Sequence, residues 1–419
     1  MPSEFRDPFT SGNQRGFAKA GEFGTVAVMG KHVIFLGAGA SKSSGYPLAN
    51  ELRLRLSSEN HFVSWVKQCF PKAPEGTVLA ATEYFRHFES SIDLFRRGAF
   101  ASVDEFCRCI SDQCKPDGDQ HELDHVENMR WLTRAVLGAL NPEHKFEDSE
   151  YYLFIQKLFR TDSLEKFRDD ISILTYNYDP YLEFLLLRAW AARNGGCWPA
   201  DADLGNSITG GFFNPQNLGW TESNQPRLRL LKLHGSICSF VAGERLITPD
   251  HLFEDEGSRR AGTLFDSRDQ RRAPPIIFPW EILDEDLRFR DKDFPNHGAQ
   301  NYRIFFHKVW ERAREEVQGA EKISFVGLSM HGFLKLGFRY LFKGKSNRVQ
   351  VVVANTLNKV FRESYRTGQN LPNSPCQQVI DLLNEVTDIN RITSAGQLTN
   401  QGHRVIARYS FEDFIKNEL

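Results

Sequence analysis

The chain has no long apolar run, no paired cysteines and almost no net charge, and each absence removes a class of function. No stretch of its 419 residues is long and apolar enough to read as a membrane span. Glu4, Arg6 and Asp7 precede any apolar run, which does not fit the order of a secretory signal. Seven cysteines are present, yet none stands in a Cys-x-x-Cys pair, so neither a disulfide framework nor paired zinc knuckles are expected. Cys107, Cys109 and Cys114, with His121 and His125 downstream, come nearest to a metal set, but they fall on a stretch that reads as helix, and no metal is expected. A reducing, cytoplasmic setting fits this cysteine usage. The formal charge of −2, from 52 basic and 54 acidic residues, supplies no global field for nucleic acid or an anionic membrane. Arg259-Arg260 and Arg271-Arg272 suggest a local basic patch. No glycine-rich loop ends in Gly-Lys-Ser or Gly-Lys-Thr, and Ser41 lacks the second glycine of a nucleophile elbow. There is no internal repeat or low-complexity tract.

What is present is core material. Hydrophobic residues make up 41% of the chain and phenylalanine alone numbers 34, enough for one large core with smaller attachments. Residues 1–30 are polar and glycine-rich and read as an N-terminal arm. Residues 32–36 read as a first buried strand, followed by a helix over 47–58 with Leu48, Leu52 and Leu56 on one face. Helical periodicity then dominates from about 60 to 170. Strand character returns at Ile171–Thr175, Leu228–Leu233, Ile323–Val326 and Val349–Ala354, with helices expected at 181–192 and 301–317. The island Pro274–Trp280 reads as a strand or pocket wall, and residues 358–419 as a mixed helical extension. Strands alternating with helices predict an α/β fold: a Rossmann-like parallel sheet with a large helical insertion and a short C-terminal extension.

Polar or small residues follow each of these strands, where an open α/β sheet gathers its ligands. After the first come Gly37-Ala38-Gly39, then Ser41, Gly45 and Pro47; the glycines suit a tight turn and a close approach to a pyrophosphate, and Ser41 suits a helix cap or a phosphate contact. Position 42 is lysine where the dehydrogenase fingerprint has its third glycine, so routine hydride transfer is not expected. Thr175-x-Asn177-x-Asp179 follows the second strand; Asn177 and Asp179 suit either one shared site or an Asx turn before Pro180. His234-Gly235 follows the third, with the histidine either a general base or a satisfied buried ring. Gly327 and Ser329, then Asn355, follow the last two. His331-Gly332 is a weaker rival to His234.

Taken in order, these segments resemble the sirtuin-like domains, and above all their bacterial antiphage branch of NAD-consuming effectors. Gly37-Ala38-Gly39-x-Ser41 with Gly45 and Pro47 resembles the first nucleotide-binding motif, Thr175-x-Asn177-x-Asp179 the second, and His234-Gly235 the pair with the catalytic histidine. Gly327, Ser329 and Asn355 resemble later cofactor-binding positions, and Ser102–Phe106 the branch's helical insertion. The resemblance spans about residues 31–357. It implies an NAD hydrolase releasing nicotinamide and ADP-ribose, with Asn177, Asp179 and His234 catalytic. Gly37, Ala38, Gly39, Ser41, Gly45, Pro47, Thr175, Gly327, Ser329 and Asn355 would bind NAD. It also implies control through a homo-oligomer or a HerA-type ATPase partner. Two features set the chain apart from sirtuin deacylases: Leu48-Ala49-Asn50-Glu51 stands where those carry a Phe-x-Arg-like signature, and only Cys238 lies between His234 and Cys376. Protein deacylation, ADP-ribosyl transfer and a non-catalytic nucleotide-binding scaffold stay open as alternatives.

Overall fold

A computed structural model describes residues 31–72, 74–98, 100–113, 120–140, 150–159, 167–193, 229–237, 240–242, 245–247, 264–265, 276–289, 300–328, 334–345, 349–354, 375–386, 404–408 and 411–419. Eight strands lie among them: β1 (His32–Leu36), β2 (Ile171–Thr175), β3 (Arg229–Lys232), β4 (Phe240–Ala242), β5 (Arg245–Ile247), β6 (Lys322–Val326), β7 (Gln350–Ala354) and β8 (Arg404–Arg408). β4 and β5 pair antiparallel by themselves, in a stretch that the sequence presents only as highly charged. The other six form one sheet in the order β3-β2-β1-β6-β7-β8, with every neighbouring pair parallel. A parallel sheet is covered on both faces, which is why its strands are largely apolar and not alternating, with interior polar residues such as Ser172 and Ser324 hydrogen-bonded. All five residues of β1 and of β2 are buried.

The architecture is α/β and Rossmann-like. Counted within the sheet, the strand order reverses at β1, whose neighbours are β2 on one side and β6 on the other. Such a reversal opens a crevice beyond the carboxyl ends of the two central strands. Phe35 anchors the middle of the sheet, stacked on Phe325 at 5.1 Å and tilted against Phe338 at 5.4 Å.

Between β1 and β2 the chain builds the helices Ala49–Leu56, Glu59–Cys69, Glu75–His87, Glu89–Arg97, Val103–Gln113, Gln120–Ala139 and Glu150–Leu158. Their local logic is ordinary helix physics. In Glu59–Cys69, Phe62, Trp65, Val66 and Cys69 are buried at helical spacing, and Ser58 caps the start by accepting from the His61 N–H at 3.3 Å. The chain between β1 and β2 is thus a helical insertion.

At the amino ends of the strands a fully buried carboxylate ties the sheet to the helix Gln300–Gly319. Glu316 accepts from the Ser172 hydroxyl at 2.6 Å and pairs with Lys31 at 2.5 Å, Arg312 at 2.8 Å and Arg229 at 3.6 Å. Burial raises its proton affinity, but these donors and cations outweigh that and hold its carboxyl below the usual range.

The C-terminal segment departs from the expected helical extension. β8 pairs with β7 over five positions, so the sheet crosses the domain boundary expected at 357. The closing helix Phe411–Glu418 packs back on the insertion, with Phe411 5.2 Å from Tyr151 and 5.3 Å from Phe154. A short strand flanked by arginines gives little apolar run to read.

Candidate functional site

Two turns interlock where the sheet order reverses. The Gly37 N–H donates to Val326 O at 2.9 Å, the Gly39 N–H to Gly327 O at 2.8 Å, and the Gly327 N–H to Ala354 O at 2.8 Å. Gly327 takes φ +60°, and a Cβ there would stand 2.2 Å from the Ala40 nitrogen. Only glycine fits such an approach. The glycine turn thus spends its small size on packing against Gly327: a Cβ on Gly39 would lie 2.7 Å from Gly327 O. The sequence offered a different reason for that glycine, an approach to pyrophosphate. Ala38, at the tip, is exposed.

Behind this turn lies a hydroxyl and carboxamide network. The Thr175 hydroxyl donates to Leu36 O at 3.0 Å and accepts from the Asn177 N–H at 3.0 Å. Asn177 Nδ2 donates to Gly37 O at 3.0 Å and to Ser41 Oγ at 3.2 Å, which leaves its Oδ1 to accept from a ligand. The Ser41 hydroxyl donates in turn to Asp179 Oδ2 at 3.0 Å and lies 3.3 Å from the Tyr151 hydroxyl. Asp179 Oδ1 accepts from the Tyr181 N–H at 3.2 Å, so the Asx turn and the shared site coexist. Burial pushes the Asp179 carboxyl up to about 6, against the pull of Lys232. Lys232 Nζ donates to Asp179 O at 2.6 Å, to Glu183 at 2.5 Å and to Ser236 at 3.3 Å.

His234 enters from the end of β3. Gly235 follows at φ +80°, and the His234 carbonyl accepts from the Ile277 N–H at 3.0 Å. The imidazole is 4% exposed, and its Nε2 has no hydrogen-bond partner among the described residues. Burial lowers it to about 3, so it is neutral at pH 7. Its neighbours are aromatic: Tyr178 stacked at 5.6 Å, Tyr176 edge-on at 4.8 Å and Phe278 edge-on at 6.3 Å.

Phe278 and Trp280 line the cavity, and a buried ion pair holds them to the insertion. Arg130 on Gln120–Ala139 pairs with Glu281, whose other oxygen accepts from the Phe278 N–H at 2.8 Å. Both partners are essentially inaccessible. Glu281→Ala is expected to cost about 3–5 kcal/mol because it strands a buried guanidinium, whereas Arg130→Met with Glu281→Leu should recover most of that loss. Urea unfolding midpoints of the two variants check it; equal losses would show that the ion pair is not the cause.

These elements enclose one cavity of about 640 Å³, a size suited to small ligands. Gly37, Ala38, Gly39, Pro47, Asn177, Asp179, His234 and Gly327 all line it, so residues from four expected segments meet there. Ser41 and Thr175 stand outside the lining and hold Asn177 and Asp179 from behind, while Gly45 shapes the turn at φ +94°. Ser329, His331, Asn355, Arg259-Arg260 and Arg271-Arg272 fall outside the described residues, as does the arm 1–30. The lining also includes Asp104 and Glu105 from the insertion and the aromatic residues Tyr176, Tyr178, Phe278 and Trp280. Sequence reading marked Ser102–Phe106 and Pro274–Trp280 without placing either beside His234. Asp104, Glu105 and Asp179 face this space with no lysine or arginine among the described lining residues. An aromatic, acid-bearing cavity favours a cationic ligand or a transition state that develops positive charge.

Among the described residues, no three His, Cys, Asp or Glu side chains gather as a metal set, and no helix is long and apolar enough to cross a membrane. Compared with known proteins, the chain matches no family model, and no curated protein matches it in sequence.

Proposed function

We propose that the chain is an NAD hydrolase that cleaves the bond between nicotinamide and ribose, giving nicotinamide and ADP-ribose. The observation that carries the reading is convergence: the glycine turn after β1, Asn177 and Asp179 after β2, and His234 after β3 line one cavity where the sheet order reverses. NAD presents a cationic pyridinium, and loss of nicotinamide leaves an oxocarbenium-like ribosyl centre. The acid-bearing aromatic cavity suits both. Asn177 Oδ1 accepts from the attacking water or a ribose hydroxyl while its amide is held by Gly37 and Ser41. His234 is the acceptor, at Nε2, for a proton from the attacking water or a ribose hydroxyl, once bound ligand and water replace the apolar surroundings that keep the ring a weak base. Asp179, with both oxygens already engaged by Ser41 and Tyr181, orients this corner and adds negative potential. The diphosphate lies toward the exposed Ala38 tip.

Unchecked cleavage would drain a cell of NAD, so the reading brings control with it: self-assembly, or a HerA-type ATPase partner, in the cytoplasm and in defence against phage. The test is direct. Purified protein incubated with NAD is expected to release nicotinamide and ADP-ribose in equal amounts, and Asn177→Ala and His234→Ala should each lower the rate by at least about 100-fold. Undiminished turnover in both variants would remove this cavity from the reaction. NAD binding without turnover, also in the presence of its genomic-neighbour protein, would favour a nucleotide-binding scaffold.

A further inference from the structure

Among the described residues, no hydrogen bond orients the His234 ring, and its Nε2 is buried and unpartnered. Its orientation is therefore left to the three aromatic rings around it. Two of these, Tyr176 and Phe278, meet it edge-on. The third, Tyr178, lies nearly parallel, 22° from the imidazole plane at 5.6 Å.

Tyr178 is tied at both ends. Its carbonyl accepts from the Ile237 N–H at 3.0 Å, in the same loop that carries His234. Its hydroxyl donates to Asp104 Oδ1 at 2.6 Å. Asp104 sits in the first turn of the helix Val103–Gln113, whose start is fixed locally. The Ser102 hydroxyl accepts from the Glu105 N–H at 3.1 Å, and the Glu105 carboxylate accepts from the Ala101 N–H at 2.5 Å. The resulting turn, Ala101–Glu105, forms part of the cavity wall. A continuous path runs from a capped helix of the insertion, through one hydrogen bond, to the face of the imidazole.

We infer that Tyr178 is a positioning residue that couples the helical insertion to His234, so that the placement of Val103–Gln113 sets the orientation of the imidazole. This rests on the proposed role of His234 in NAD cleavage. It extends that role by making the insertion the handle through which assembly or a partner would reach the reaction. Small losses of orientation are costly in catalysis, on the order of 100-fold for a displacement of about 1 Å.

The test uses the full chain labelled with ¹³C and ¹⁵N in histidine, with the His234 ring signals assigned by their loss in His234→Ala. Tyr178→Phe keeps the stacked ring and removes the tether. It is expected to shift or broaden the His234 ring signals while those of His32, at the far end of β1, stay in place. Asp104→Ala should reproduce the change, and Asp104→Asn, which keeps an accepting oxygen, should not. In NAD cleavage, Tyr178→Phe and Asp104→Ala should lower kcat by about 10- to 100-fold with KM within about twofold, and the double variant should be no worse than either single one. Unchanged His234 signals in Tyr178→Phe and Asp104→Ala would overturn the inference. If the unaltered chain releases no nicotinamide even with its genomic-neighbour protein present, the functional reading falls, and the histidine signals alone decide the coupling.

Discussion

Gly327→Ala is expected to abolish the native fold, or to leave it at least about 4 kcal/mol less stable. Two costs combine. An alanine at φ +60° carries about 1 kcal/mol of backbone strain. The larger cost is contact: the new Cβ would stand 2.2 Å from the Ala40 nitrogen and 2.5 Å from the Gly39 carbonyl carbon, both backbone atoms. Relief requires parting the two turns, which breaks the Gly39 N–H bond to Gly327 O and opens the cavity floor. Gly344→Ala is the control. Gly344 has φ +80°, but no described residue lies within 4 Å of its added Cβ, so the strain, about 1 kcal/mol, should dominate. Thermal and urea unfolding of the pair separate the two costs. Equal losses would mean that the turns are not interlocked as described.

The second large effect is in acid. His32 and His234 are both buried, and both are lowered to about 3, His32 by burial first and then by Lys322 and Arg168. An unfolded chain returns both to about 6.5. Between those values the unfolded state binds protons that the native state refuses, so stability is fully present above pH 6.5 and drains away as pH falls toward 3. Each histidine contributes up to about 1.4 kcal/mol per pH unit, or roughly 5 kcal/mol for the two between pH 6.5 and 4.5. Asp179 acts in the opposite direction. Its carboxyl, raised to about 6, lets the native state take a proton first, returning up to about 2 kcal/mol over the same window. The net loss by pH 4.5 is about 3 kcal/mol. His32→Asn, which keeps a polar partner for the Ser324 hydroxyl now 2.8 Å away, should remove roughly half of the histidine loss. Urea unfolding free energies at pH 7.5, 6 and 4.5 provide the check. An unchanged pH slope in His32→Asn would show that this ring is not refusing a proton.

The sheet was legible because burial on both faces makes β1, β2, β6 and β7 largely apolar runs. The corner that holds Asn177, Asp179 and His234 was legible because parallel strands bring their carboxyl ends together whatever lies between them. What sequence spacing does not encode is direction. Ser41 and Thr175 carry the right groups at the right places, yet their hydroxyls point to protein partners behind the cavity. Tyr178 has no pattern of its own; its importance comes from meeting Asp104 and His234, which only tertiary packing brings together. β8 was hidden for a different reason. Its five residues include two arginines, and its partner β7 already reads as the end of a sheet.

The pairing of β1 with β6 also fixes when a site can exist during synthesis. β1 is the first of these strands to leave the ribosome, but its glycine turn is held by Gly327, which in turn is held by Ala354. Until that part of the chain has emerged, the apolar run Val33–Leu36 has only one of its two neighbours, and the cavity has no floor. Such long-range closure is intrinsically slow and leaves apolar strand edges exposed in early intermediates. A nascent chain, or one broken off before Gly327, carries Asn177 and His234 yet lacks the turn that floors their cavity, so the cavity forms only after β7 has been made.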